Sequence, residues 1–349
     1  MERSESFGPL HGHRHGEERM SRHRVRKAKA SLGSRIMSAF FAFVLVAGLV
    51  LLAYPSVANW WNQLHQSRAV ATYIAQSKDY SKQQRKVMIA MARQYNAQLS
   101  QRALLSKSEN ENDRWAMTDA EKRYYESVLD ITGTGVMGYV TIPSIKVRLP
   151  IYHGTDEGIL QIATGHIAGS SLPVGGESTH AVVSGHTGLP SAKLFTGLDK
   201  LKKGDTFAFH VLDQTYTYRV DQISVVLPKD LSKLNIESGM DYVTLVTCTP
   251  YGVNTHRLLV RGHRIANPDA ADTTDYDARI RLMSAIIITT TLLVLTAIFS
   301  WLAWTTRRYL AQKRAMRPMP LSGEPWDDVA GIADPLNDNQ RRHAKEWRK

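Results

Sequence analysis

The chain has a single cysteine, Cys248, in 349 residues. An internal disulfide is therefore excluded, and one free thiol is left to be explained. Glycine and proline are both missing from Ser56 to Thr132, so nothing in that stretch interrupts a helix. Charge is missing from two runs, the 19 residues Ile36–Tyr54 and the 25 residues Leu282–Thr306. No internal repeat is present. The middle of the chain also has little net charge: of the formal +12, residues 1–35 supply +5 and residues 307–349 supply +4. Despite a pI near 9.7, a near-neutral middle argues against a nucleic-acid-binding core.

Both uncharged runs are long enough to cross a bilayer as helices. Trp60 and Trp61 follow the first; Trp301 and Trp304 close the second, with Arg307 and Arg308 just beyond. Indole rings favour the membrane interface, and basic residues favour the cytoplasmic side. The expected topology is two-pass in the cell membrane, with both termini cytoplasmic and residues from about 55 to 280 outside. The first run is long for a signal-peptide core and lacks a small-x-small cleavage site after it, so it reads as a retained anchor. The N-terminal 35 residues are basic and polar, a composition typical of disorder. Their histidines His11, His13 and His15 read as part of that tail rather than as a metal site.

Between the runs, Val87, Met91, Tyr95 and Leu99 recur every four residues, and Ser67–Leu105 reads as one or two helices packed on the outer domain by that stripe. Asp119–Leu129 reads as a further helix. From Gly138 the pattern becomes short β runs: 138–142, 147–152, 181–184, 206–211, 215–220, 223–227, 242–247 and 257–260. Eight short strands in so few residues point to a closed β-barrel. Short helical pieces are expected at 158–163, 192–198 and 231–234.

Cys248 ends one β run, and Arg257 opens the next after a turn containing Pro250 and Gly252. A short connection favours antiparallel pairing, which brings thiol and guanidinium together. A nucleophilic cysteine needs cationic or proton-accepting company. His186, in a Gly-flanked loop after the 181–184 run, is one candidate; His166, His180, His256 and His263 compete. Taken one at a time, the plainer readings prevail: Cys248 as a small buried hydrophobe, Arg257 as a surface strand residue and His186 as a turn residue.

Together the segments resemble one family. TLVTCTPYGVNTHRLLVRGHR (244–264) resembles the TLxTC…Arg signature of sortases. GYVTIPSIKVRLPIYHGT (138–155), VVSGHTGLP (182–190) and LFTGLDKLKKGD (194–205) resemble other sortase segments in the same order. The Cys-to-Arg interval and the second apolar run look like class C, the pilin-polymerising branch. The resemblance implies a mostly β fold: a closed eight-stranded sortase-type barrel with short helices, preceded by N-terminal helices and flanked by two transmembrane helices. It implies a cysteine transpeptidase in which Cys248 attacks an LPxTG-like sorting signal to form a thioester, His186 is general acid then base, and Arg257 holds the substrate and its oxyanion. The acceptor would be a lysine amine of a pilin subunit. No metal or organic cofactor is required. Implied partners are pilins and other surface proteins with such signals, and membrane lipid, but no nucleic acid.

The family's class C members also have a lid with an Asp-Pro-aromatic motif. Asp113-Arg114-Trp115 matches it, with Arg114 in place of Pro; Asp113 would pair with Arg257 and Trp115 would cover Cys248. The alternative for this segment is a helix-capping Asp and a packing Trp. The expected organisation is a basic cytoplasmic tail (1–35), a span (36–54), a helical segment (55–132) with a lid at about 106–118, the barrel (133–266), a linker (267–281), a span (282–306) and a basic tail (307–349). Two other functions stay open: a housekeeping sortase joining surface proteins to cell-wall peptide, and a non-enzymatic membrane-anchored scaffold.

Overall fold

A computed structural model describes residues 32–105, 115, 117–269 and 272–315. Three features named above lie outside them: the His11–His15 cluster, both basic tails for most of their length, and Asp113 with Arg114.

Eight strands close into a barrel in the order β1-β2-β3-β4-β7-β8-β6-β5. They are β1 (Val136–Ile142), β2 (Val147–His153), β3 (Thr164–His166), β4 (Thr179–Ser184), β5 (Thr206–Val211), β6 (Gln214–Val226), β7 (Asp241–Thr249) and β8 (His256–Ile265). Closure leaves no unpaired sheet edge. The β2–β3 and β4–β7 pairs are parallel and the rest antiparallel. Alternation sorts the side chains. Val243 and Leu245 of β7 point into the main core with Val183, Leu258, Val260 and Phe209. Val246 points out, into a second apolar cluster with Val182, Val226, Leu234 and Leu259.

The expected segments at 215–220 and 223–227 are one strand, β6, whose pairing with β8 shifts register at Asp221. Such a bulge bends a strand without ending it. The eighth strand is β3, only three residues long, too short to show a period. The helix expected at 192–198 is loop and turn instead, followed by a single 3₁₀ turn at Leu198–Lys200.

Helix α1 (Leu32–Asp79) runs unbroken from the first apolar stretch, through Pro55, to the barrel wall. There the Tyr73 hydroxyl donates to the Met137 carbonyl (2.9 Å) and accepts from the Leu212 amide (2.9 Å). Helix α2 (Lys82–Leu105) packs by Ile89, Ala92, Tyr95, Asn96 and Leu99. The four-residue stripe is only half right, because Val87 and Met91 are 50% and 43% exposed. At 100° per residue a four-residue repeat drifts about 40° each turn, so its early members rotate away from the face its later members bury. Asn96 holds α2 in place by a two-way bond with Leu172, Nδ2 to the carbonyl at 3.0 Å and Oδ1 from the amide at 2.7 Å. Helix α3 (Asp119–Ser127) starts in a capping box formed by Thr118 and Glu121. Helix α4 (Glu157–Leu160) is a single turn, and α5 (Ala278–Ala315) contains the second apolar run. Both α1 and α5 are long and apolar enough to cross a membrane, and their apolar stretches are unburied by the rest of the chain.

Candidate active site

Cys248 and Arg257 are direct cross-strand partners of β7 and β8. Opposed residues of an antiparallel pair project to the same face with Cβ atoms about 5 Å apart. Cys248 lies two residues beyond Val246, and Arg257 two before Leu259, so by strand alternation both face outward onto the second apolar cluster. The thiol is free and partly exposed. The Arg257 guanidinium donates to the carbonyls of Asn254 (3.3 Å) and His256 (3.2 Å), which fold it back over its own turn.

His186 reaches this place from the other side of β7. In the parallel β4–β7 pair, Ser184 is opposite Val246. The ladder extends one step further: the Gly185 amide donates to the Val246 carbonyl (3.0 Å), and the Thr247 hydroxyl to the Gly185 carbonyl (2.7 Å). The next residue of each strand is His186 and Cys248. A side chain at Gly185 is excluded, because a Cβ there would stand 2.8 Å from the buried Phe195 ring. Phe195 in turn closes the His186 loop through its amide, which donates to the His186 carbonyl (3.1 Å). Tyr251, in the turn between Cys248 and Arg257, lies against the same loop, 3.3 Å from where a Gly188 Cβ would be.

The competing histidines are placed otherwise. His166 is fully buried, bonded to the Tyr125 hydroxyl (2.9 Å) and the Ser171 carbonyl (2.8 Å), and burial pushes it down to about 3. His180 is buried between the Asn235 carbonyl and the Thr244 hydroxyl. His263 opposes Tyr242, at the far end of β7 from Cys248. His256 is next to Arg257 and by alternation faces the other way.

Trp115 packs against the second cluster, made of Val182, Val226, Leu234, Val246 and Leu259. It therefore lies on the face that presents Cys248 and Arg257. Two residues escaped the sequence reading. On α1, Asn59 Oδ1 accepts from the Lys193 amide (2.9 Å) and Asn62 Nδ2 donates to the Ser191 carbonyl (2.8 Å). Both bonds fasten the His186 loop from more than a hundred residues away, and nothing local signals them. Among the described residues, no group of three or more His, Cys, Asp or Glu is placed to hold a metal ion.

The sortase-domain family model matches residues 140–265, a span that includes all three polar groups. Sortase C1 of Streptococcus agalactiae superposes with a TM-score of 0.54 at 51% identity, covering 58% of this chain and 100% of that one. The chain belongs to the sortase family. Sortase C of Streptococcus pneumoniae gives a TM-score of 0.50 at 41% identity over 58% of this chain and all of its own. Both structures are of class C, as the Cys-to-Arg interval implies. Sortase A of S. agalactiae is 32% identical over 117 residues, 33% of this chain and 47% of that protein. The chain thus spans about half the length of that curated relative, and the likeness is concentrated in the sortase barrel.

Proposed function

We propose that this sortase is a membrane-anchored cysteine transpeptidase that joins pilin subunits into covalent polymers. The observation that carries it is the convergence of three chain segments at one end of β7: Cys248 on β7, Arg257 directly opposite on β8, and His186 one step past the end of the β4 ladder. In this reading the Cys248 thiolate attacks the Thr–Gly carbonyl of an LPxTG-like signal. His186 protonates the departing glycine amine, leaving a thioester. It then takes a proton from the incoming lysine amine, which displaces the thiol to give an isopeptide bond. Arg257 presents fixed positive charge to the oxyanion of both tetrahedral states, an effect that is often the largest catalytic term. The outward apolar patch of Val182, Val246 and Leu259 gives the signal's apolar residues a floor beside the thiol.

The pilin assignment draws on class C: the S. pneumoniae sortase C structure is described in terms of catalysis and pilin substrate specificity. The membrane assignment draws on α1 and α5, both long and apolar enough to cross a bilayer, and the basic residues flanking the two apolar runs support cytoplasmic termini. Trp115 serves as the lid over the thiol, with Asp113 its partner toward Arg257. In cells expressing the cognate pilin, Cys248→Ala is expected to abolish the high-mass ladder and the acyl adduct seen on Cys248 by mass spectrometry. Persistent ladders would overturn the assignment. The sortase A relative favours a second reading, attachment to cell-wall peptide. It predicts single substrates bound to wall fragments in place of ladders.

A further inference from the structure

Just before α5 enters its apolar run, it encloses with α1 and the barrel a cavity of about 320 Å³. It is walled by Gln63, Gln66 and Ser67 of α1, the β1–β2 turn with Lys146, Lys193 of the His186 loop, and the start of α5 with Arg279. Just below it, the Trp60 indole donates to the Ser284 hydroxyl (2.9 Å), tying the two helices together.

The charges lining this cavity do not balance. Its two carboxylates are already engaged: Asp277 pairs with Arg148 at 2.6 Å, and Asp275 pairs with Arg281. Among the described residues, Lys146, Lys193 and Arg279 have no carboxylate partner. Burial, together with the nearby charges of Arg279 and Lys200, pushes the Lys193 ammonium down. Three cations from three separate elements thus line one space whose two carboxylates are already paired. Such a cluster favours a phosphate, which the Arg fork and Lys ammonium groups can bind together.

The height of the cavity selects the kind of phosphate. Gln63 and Ser67 stand three and seven residues past Trp60, about 5 and 10 Å along the helix. Ser284, which the Trp60 indole meets, is the third residue of the second apolar run; that bond sets Trp60 at the edge of the hydrocarbon, and the cavity beyond it at the depth of the lipid headgroup layer, about 5–8 Å thick. Ile145, Val147 and Ile280 give the same cavity an apolar side. From this geometry we infer that the cavity binds the headgroup of an anionic phospholipid through Lys146, Lys193 and Arg279. The inference rests on the membrane-anchored reading above. It has a consequence for the site, because Lys193 belongs to the loop that begins at His186 and is fastened to α1 by Asn59 and Asn62. A bound headgroup steadies that loop from below.

The test uses the full chain carrying Cys248→Ala, purified in a neutral detergent, so that no outcome depends on transpeptidation. Short-chain phosphatidylglycerol, short-chain phosphatidylcholine and inorganic phosphate are titrated separately. Thermal midpoint and lipid retained in native mass spectrometry are the readouts. Phosphatidylglycerol is expected to raise the midpoint and be retained at one per chain, and phosphatidylcholine to do neither. The triple variant Lys146→Gln/Lys193→Gln/Arg279→Gln should bind it at least about tenfold more weakly. The single Lys193→Gln variant gives the same direction should the triple variant fail to fold. Equal binding of both lipids, or unweakened binding by the variants, overturns the inference. Protection by inorganic phosphate equal to that by phosphatidylglycerol also overturns it, by making this a free-anion site. A chain found outside the membrane fraction of cells instead sinks the anchored reading itself.

Discussion

Trp115 is the residue whose role is most directly testable. It packs against the outward cluster of Val182, Val226, Leu234, Val246 and Leu259, on the face to which Cys248 and Arg257 also point. Trp115→Ala is expected to accelerate reaction of Cys248 with a thiol reagent severalfold, while leaving the barrel's unfolding midpoint nearly unchanged; an unaltered labelling rate would rule out a cover. Arg257→Lys keeps the charge but loses the planar fork. It should lower turnover at least about tenfold with little effect on stability, as measured by release of the glycine-bearing fragment from a sorting-signal peptide. The Cys248–Arg257 pairing was legible in the sequence because one short turn connects the two, so local chemistry fixes the register. The approach of His186 to Cys248 was not, since it depends on parallel pairing between strands 57 residues apart. Sequence spacing could not set aside His166 or His180 either. Only packing reveals that both are buried, with their ring nitrogens already occupied.

At the level of elements, single polar groups hold the helices on the barrel. Tyr73 satisfies one buried carbonyl and one buried amide, on β1 and in the β5–β6 turn. Tyr73→Phe leaves both unpaired and should cost about 2 kcal/mol or more, read from urea unfolding of the full chain in detergent. Asn59→Ala with Asn62→Ala acts on a different quantity. It frees the His186 loop from α1 and should lower kcat more than KM, with faster amide exchange confined to residues 187–196; equal exchange would mean the loop holds itself. A strand with a clear alternation, such as β5, and one dense in β-branched and aromatic residues, such as β7, were legible. The three-residue β3 and the bulged β6 were not, because one is shorter than any period and the other changes phase midway. On α2, four-residue counting caught Tyr95 and Leu99 and missed the buried Ile89 and Ala92.

For the whole molecule, the buried His166 and the half-buried His210 are expected to shape the response to acid. His166 is pushed down to about 3 by burial, and His210, stacked on Tyr139 between the Thr141 and Thr215 hydroxyls, to about 4. Both stay neutral in the folded chain while the unfolded chain protonates them near 6.5. Their contribution is complete above pH 6.5 and declines as the pH falls towards 4, by up to about 1.4 kcal/mol per pH unit for each. The unfolding midpoint should therefore fall steadily between pH 6.5 and 4, and His210→Gln should reduce that slope. An unchanged slope would place the acid sensitivity elsewhere. Helix α1 gives the molecule a different kind of constraint. Its 48 residues extend about 72 Å without a break, and Asn59, Asn62, Gln66 and Tyr73 bind successive turns of it to the barrel or its loops. With α5 as a second strut, tied on at Ser67 and Trp60, the barrel cannot swivel on its two long helices. On the proposed membrane-anchored reading, the thiol is thus kept at one altitude and one compass bearing. Encounter with a partner anchored in the same membrane would then be a search in a plane at fixed height, and a peptide free in solution would gain nothing from that alignment.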